Sequence, residues 1–217
     1  MKIVIQCAAR KDPNAGFLTN NHGCPVLFVS DPEMAPPSDD HLYARPDDVA
    51  GAGNTWRELL VKYNNREENN TLNLYPAYKL YTNSMYAVLV NQYGNDNVFI
   101  LSAGWGLIGS DFLTPKYDIT FSPSAEKYKR RSKRDQYHDL CMLPIDTDED
   151  LVFFGGKDYL PLFCKLTGNY LGQRFVFYNA AVQPKAPGCK LIRYETSART
   201  NWHYTCAKDF VSGNIGI

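Results

Sequence analysis

The chain lacks any run of about 18 consecutive apolar residues, so it offers no candidate membrane-spanning helix. Its opening, Met1-Lys2-Ile3-Val4-Ile5-Gln6, meets polar residues too soon to supply the apolar centre of a signal peptide. Net charge is also missing, because 23 basic side chains are balanced by 23 acidic ones. A neutral chain exerts no overall pull on nucleic acid, so any such argument must come from local clustering. No C-x-x-C pair occurs among the six scattered cysteines, Cys7, Cys24, Cys141, Cys164, Cys189 and Cys206. Without an export signal these read as reduced thiols of a soluble, cytoplasmic protein. There is no Walker loop, G-x-S-x-G elbow or G-x-G-x-x-G fingerprint. The four histidines do not make a metal site: His22 and Cys24 are close, but structural zinc wants four ligands. His203, beside Trp202, reads as a packed residue. Neither a metal nor an organic cofactor is expected.

What is present is ordinary globular material, 217 residues with 44% hydrophobic and 21% charged side chains. That length suits one domain with a substantial core. Short apolar, β-branched runs at Lys2–Gln6, Pro25–Ser30, Asn97–Leu101, Leu151–Phe154, Arg174–Tyr178 and Lys190–Tyr194 have the length of strands. Between several of them lie helical patterns. Asn54 is placed to cap Thr55–Asn64, where Trp56, Leu59, Leu60 and Tyr63 share a face. Further helices are expected over Asn83–Tyr93, Asp158–Leu166 and Thr200–Val211. The alternation predicts a single α/β domain over residues 1–217, three-layered, with a mainly parallel central sheet. Residues 31–53, rich in proline and acids, read as a surface insertion.

In open parallel sheets ligands bind beyond the carboxyl ends of the strands, and here those ends have unusual compositions. The first strand leads into Cys7-Ala8-Ala9-Arg10-Lys11, where small residues admit a ligand and two cations follow. Cys7 as a nucleophile has no neighbouring histidine to activate it, and buried strand-end cysteines are common. Trp105, between Gly104 and Gly106, could stack on a base or pack beneath its loop. Lys157 after Gly155-Gly156 is a second candidate cation, and Asn179 could read a base edge or cap a turn. Asp111 and Asp118 are the carboxylates that follow a central strand. Either could instead accept backbone N–H bonds in its own turn.

The clearest charge cluster is Lys127, Lys129, Arg130, Arg131, Lys133 and Arg134, with Tyr128 and Tyr137 close by. If helical, it aligns Lys127, Arg130, Arg131 and Arg134 on one face. Such a stripe suits a phosphate backbone, although most charge runs are only solvated faces.

Three segments together resemble the YaaA-like proteins: Leu80-Tyr81-Thr82-Asn83-Ser84-Met85-Tyr86; Ile100-Leu101-Ser102-Ala103-Gly104-Trp105-Gly106-Leu107-Ile108; and Tyr117-Asp118-Ile119-Thr120. Phe154-Gly155-Gly156-Lys157-Asp158-Tyr159 looks like that family's second strand-end motif. The likeness covers residues 1–12 and 75–170. Lys116 departs from it, standing between Pro115 and Tyr117 where the family has Pro-Tyr adjacent. The resemblance implies an α/β fold of the uracil-DNA-glycosylase type, and is similar to phage-defence DNA glycosylases of the Brig type that excise glucosylated hydroxymethylcytosine. It therefore implies a DNA glycosylase acting on duplex DNA with a flipped modified nucleotide. Asp118 would then be the first catalytic candidate, Asp111 the second, and Cys7, Arg10, Lys11, Trp105, Tyr117, Lys157 and Asn179 the substrate-binding set. A non-enzymatic DNA-binding stress protein and a base transglycosylase or nucleoside hydrolase are the alternatives.

Overall fold

Consecutive rather than alternating apolar residues mark strands that need cover on both faces. In the computed structural model such runs form one seven-stranded sheet. The structure describes residues 1–217 apart from Ala52, Glu67, Glu68, Lys133, Arg134, Ile145 and Arg199. In chain order the strands that matter here are β1 (Lys2–Gln6), β2 (Pro25–Phe28), β3 (Leu42–Ala44), β4 (Val98–Ser102), β5 (Gly106–Gly109), β6 (Leu140–Cys141), β7 (Leu151–Phe154), β8 (Arg174–Tyr178) and β9 (Cys189–Arg193). The helices are α1 (Trp56–Asn64), α2 (Met85–Tyr93), α3 (Leu160–Leu166) and α4 (Trp202–Val211). The central sheet runs β6-β5-β4-β1-β7-β8-β9. Its five strands β4-β1-β7-β8-β9 are parallel. Numbered in chain order they read 2-1-3-4-5, so successive connections leave β1 in opposite directions and open a crevice between β1 and β7 at their carboxyl ends.

Neighbouring phenylalanines on β7 show how the sheet is covered. Phe153 stacks on Phe163 of α3, ring centroids 4.5 Å apart, while Phe154 meets Phe177 and Phe210 of α4. Successive side chains of a strand face opposite ways, so α3 and α4 lie on opposite faces. Ile3, Val4, Ile5, Ile100 and Leu101 are fully buried between these layers. Among the described residues no helix is long and apolar enough to cross a membrane.

Five of the six expected strands lie in this sheet. The exception is Pro25–Phe28, which forms a smaller sheet with Leu18–Thr19 and β3. The segment 31–53 is therefore more than a surface excursion: it supplies β3, whose Ala44 is buried, and Asp47, which is used below. The cap of α1 is Thr55, not Asn54. Its side chain accepts from the Glu58 N–H while the Glu58 carboxylate accepts from the Thr55 N–H, a reciprocal capping box.

Candidate functional site

At the carboxyl edge β1 ends at Gln6 and is followed by Cys7, and β7 ends at Phe154 and is followed by Gly155 and Gly156. The Gly156 N–H donates to the Gln6 side-chain oxygen at 2.6 Å, tying the two strand ends together. Two adjoining clefts open here. One, of about 330 Å³, is lined by Gln6, Cys7, Ala8, Ala9, Thr120, Tyr159, Asn201 and His203 among others. The second, of about 300 Å³, includes Lys157, Tyr178 and Asn179. Gly156, Asp158 and Trp202 belong to both.

Beside the first cleft lies an array of hydroxyl and thiol groups in three hydrogen-bonded sets. The Tyr159 hydroxyl and Cys7 Sγ are 3.2 Å apart. Ser102 Oγ donates to the Tyr117 hydroxyl at 2.9 Å, and Tyr117 and Tyr81 share a 2.8 Å bond. Tyr86 donates to the Gln6 carbonyl at 2.8 Å and meets the Tyr204 hydroxyl at 3.0 Å. Burial raises the phenols of Tyr81, Tyr86, Tyr117 and Tyr159 well above their ordinary range, followed by the proximity of Cys7 for Tyr81, Tyr117 and Tyr159 and of Tyr204 for Tyr86. These groups are thus neutral hydrogen-bonding dipoles fixed in a low-dielectric setting.

The turn after β4 is held by two buried arginines. Arg57 pairs with Asp47, its Nε 2.5 Å from Oδ1, and donates to the carbonyls of Gly104 and Trp105, each at 3.0 Å. Arg131 makes a two-pronged pair with Asp139, both contacts 2.7 Å, and donates to the Ala103 carbonyl at 2.8 Å. The Ala103 and Gly104 carbonyls are thereby satisfied, and the Trp105 carbonyl, which already accepts the Leu140 N–H of β6, gains a second donor. Ser102 Oγ accepts the Gly104 and Trp105 N–H groups from the other side.

Asp118 stands beside this array. Its backbone N–H donates to the Phe28 carbonyl at 2.7 Å, and its carboxylate lies 2.8 Å from Lys129 Nζ. The Asp118 side chain keeps a third of its surface exposed. Lys129 also reaches Glu126 at 2.6 Å; burial works against its charge, but the two carboxylates outweigh this and raise its pKa. Lys11 sits 4.1 Å over the Tyr117 ring. Burial lowers its pKa, Cys7 and Asp118 act to raise it, and Lys129 acts to lower it. Lys11 therefore links the array to Asp118. Cys7, Lys11, Tyr117 and Asp118 come together as one constellation.

The other expected site residues are spread more widely. Asp111 is at the opposite end of the sheet, because β4 and β5 form an antiparallel hairpin that carries the chain back, pairing Phe99 with Gly109. Trp105 is fully buried, edge-on to Phe28 and Tyr117 at 5.0 and 6.4 Å, and has no face to offer a ligand. Lys157 and Asn179 line the second cleft, with Asn179 donating to the Ala198 carbonyl at 3.2 Å. Arg10 is exposed next to Ala9.

The basic run is not a helix over its described part. Lys127–Lys129 form a single 3₁₀ turn and Arg130 is extended. Arg131 is buried in its pair with Asp139, and Lys129 is occupied by Asp118 and Glu126. Lys127 remains exposed, Arg130 is half-buried and donates to the Pro123 carbonyl, and Lys133 and Arg134 lie outside the described residues.

Sequence reasoning missed Arg57, Asp47 and Asp139, whose ion pairs join residues 10 and 8 positions apart with no helical or strand period to mark them. It also passed over Tyr81, Ser102 and Tyr159, which stood inside the family-like segments without a role. Among the described residues no group of three or more His, Cys, Asp or Glu could hold a metal ion. Comparison of the chain with known protein families, curated proteins and solved structures returns no match.

Proposed function

We propose that this edge is a nucleobase site at which Asp118 assists hydrolysis of the N-glycosidic bond of a modified base in DNA, in the manner of a uracil-DNA-glycosylase-like enzyme. One observation carries the reading. A partly exposed carboxylate is held by its backbone N–H and by Lys129, close to Lys11, two residues before Thr120, which lines the first cleft together with Cys7. Cleavage of such a bond builds positive charge on the deoxyribose, which a fixed carboxylate stabilises while orienting water. A base drawn out of the helix needs stacking and edge hydrogen bonds. Trp202 and Tyr178 supply the first, and Thr120, Asn179 and Asn201 the second. Ala8, Ala9 and Gly156 let the ring approach the backbone. The reading calls on neither metal nor organic cofactor.

A second reading, hydrolysis or base exchange on free nucleosides, is favoured by one finding. Burial of Arg131 and pairing of Lys129 remove two cations from the expected phosphate track. Incubation with duplex DNA carrying glucosylated hydroxymethylcytosine, with unmodified duplex, and with the matching nucleosides separates the two. Free base from modified DNA supports the first reading, and free base from nucleosides alone supports the second. Retention of DNA with no base release contradicts both and leaves a DNA-binding protein.

A further inference from the structure

One lysine of the carboxyl edge differs from its neighbours in what holds its amine. Lys11 Nζ lies 4.1 Å over the Tyr117 ring, and among the described residues it makes neither a hydrogen bond nor an ion pair. Lys129, by contrast, is bound to Asp118 and Glu126, and Lys116 donates to the Pro13 carbonyl. The amine is nonetheless held in place. The Lys11 backbone bridges to Tyr81, and the Tyr81 hydroxyl is 2.8 Å from that of Tyr117, the ring beneath the amine. Tyr117 is buried whereas Lys11 is half-buried, so an aromatic face desolvates the amine from below while solvent still reaches the side chain. Burial lowers its pKa and the Lys129 charge acts in the same sense, against Cys7 and Asp118. A lysine in such a setting serves as a nucleophile more readily than one paired with a carboxylate.

We propose that Lys11 gives this edge a second activity, cutting the DNA strand at an abasic deoxyribose through a covalent imine. The inference rests on the reading of the edge as a deoxyribose site beside Asp118. In its ring-opened form an abasic deoxyribose carries an aldehyde at C1′. The free Lys11 amine attacks that carbon, a C–N bond forms, and loss of water leaves a protonated imine. The positive nitrogen acidifies the C2′ hydrogens. One passes as a proton to the Asp118 carboxylate, a C2′–C3′ double bond forms, and the C3′–O bond breaks as the phosphate leaves. Hydrolysis of the imine then returns the free amine. The water released on imine formation is taken back at this last step, and no oxidant or reductant is consumed.

The test uses the full-length chain and a duplex with one preformed abasic site, so no base has to be released first. With sodium cyanoborohydride present, the imine should be reduced to a stable protein–DNA adduct, seen on a denaturing gel and mapped to Lys11 by peptide mass spectrometry. Without the reductant the strand should be cut, leaving a 5′ phosphate on one fragment. Lys11→Arg keeps the charge but supplies no imine-forming amine, and should lose both adduct and cut. Lys79→Ala, which removes an exposed lysine that also lies over a ring, Tyr78 at 5.5 Å, should keep both. Absence of an adduct, an adduct spread over exposed lysines or the amino terminus, or one retained by Lys11→Arg would overturn the proposal. Mapping on the wild-type chain needs no variant, so a misfolded mutant does not decide the matter. Base release from modified duplex is scored separately. Release without an adduct overturns the imine and leaves the glycosylase reading standing, whereas an adduct at Lys11 without release supports the imine and contradicts that reading.

Discussion

Trp105 sits between two glycines that do opposite things from what a permissive loop would need. Gly106 has φ +96°, and a Cβ there would lie 2.3 Å from the Leu140 carbonyl oxygen. At Gly104 a Cβ would come within 3.1 Å of the Tyr117 ring. The glycines admit close packing around the indole rather than freedom for it. Trp105→Ala should therefore cost about 3–5 kcal/mol of stability, as other large-to-small core changes do. Urea unfolding checks this, and a loss within about 0.5 kcal/mol, typical of surface positions, would mean the side chain faces solvent. Residue identity was legible in part. Asp118 and Lys11 stood out as charges after strand ends, and both join the site. Tyr117 entered only through the family-like segment, and Tyr81, Tyr86 and Tyr159 did not stand out at all, because a phenol's role depends on which other hydroxyls the fold brings to it.

At the scale of elements, strands were the most readable features, since their apolar runs have no other place to go. The segment around Lys127–Arg131 was the least readable. Its period suits a helix, but Lys129 is drawn to Asp118 and Arg131 to Asp139, and these ion pairs override the pattern. Local charge spacing cannot reveal partners that tertiary structure supplies. The consequence is a reversal between neighbours. Arg131→Ala should leave the buried Asp139 carboxylate only its longer 3.5 Å contact with Lys165 and the Ala103 carbonyl without its side-chain donor, destabilising the protein by about 3–5 kcal/mol. Arg130→Ala, at a half-buried position with a single exposed hydrogen bond, should change stability by less than about 0.5 kcal/mol. Thermal or urea melts of the two variants side by side provide the check, and equal effects would contradict the buried pair.

At the scale of the whole molecule, the parallel sheet was legible from strand–helix alternation, but its edges were not. The four residues of β5 are too short and glycine-bounded to announce a hairpin, and that hairpin is what sends Asp111 to the far end. The assembled core also fixes a pH window. Burial brings His203 down to about 4, below the ordinary 6.5 of an unfolded chain. Its contribution is therefore complete above pH 6.5 and is lost as pH falls toward 4, by on the order of 3 kcal/mol. Urea titrations across that range should show the loss, and His203→Gln should flatten it. On the alkaline side the raised phenols act with the opposite sense: their contribution holds below pH 10 and is lost above it, so their ionisation should accompany unfolding. The central claim concerns Asp118, and Asp118→Asn tests it most directly because the change is nearly isosteric and removes the charge. In single-turnover base release from modified duplex DNA, the account predicts a loss of about 3–4 kcal/mol of transition-state stabilisation, a hundredfold or more in rate. DNA binding and melting temperature should stay near wild type, since a partly exposed ion pair contributes about 1 kcal/mol or less. A variant that folds, binds and releases base at the native rate would contradict the account.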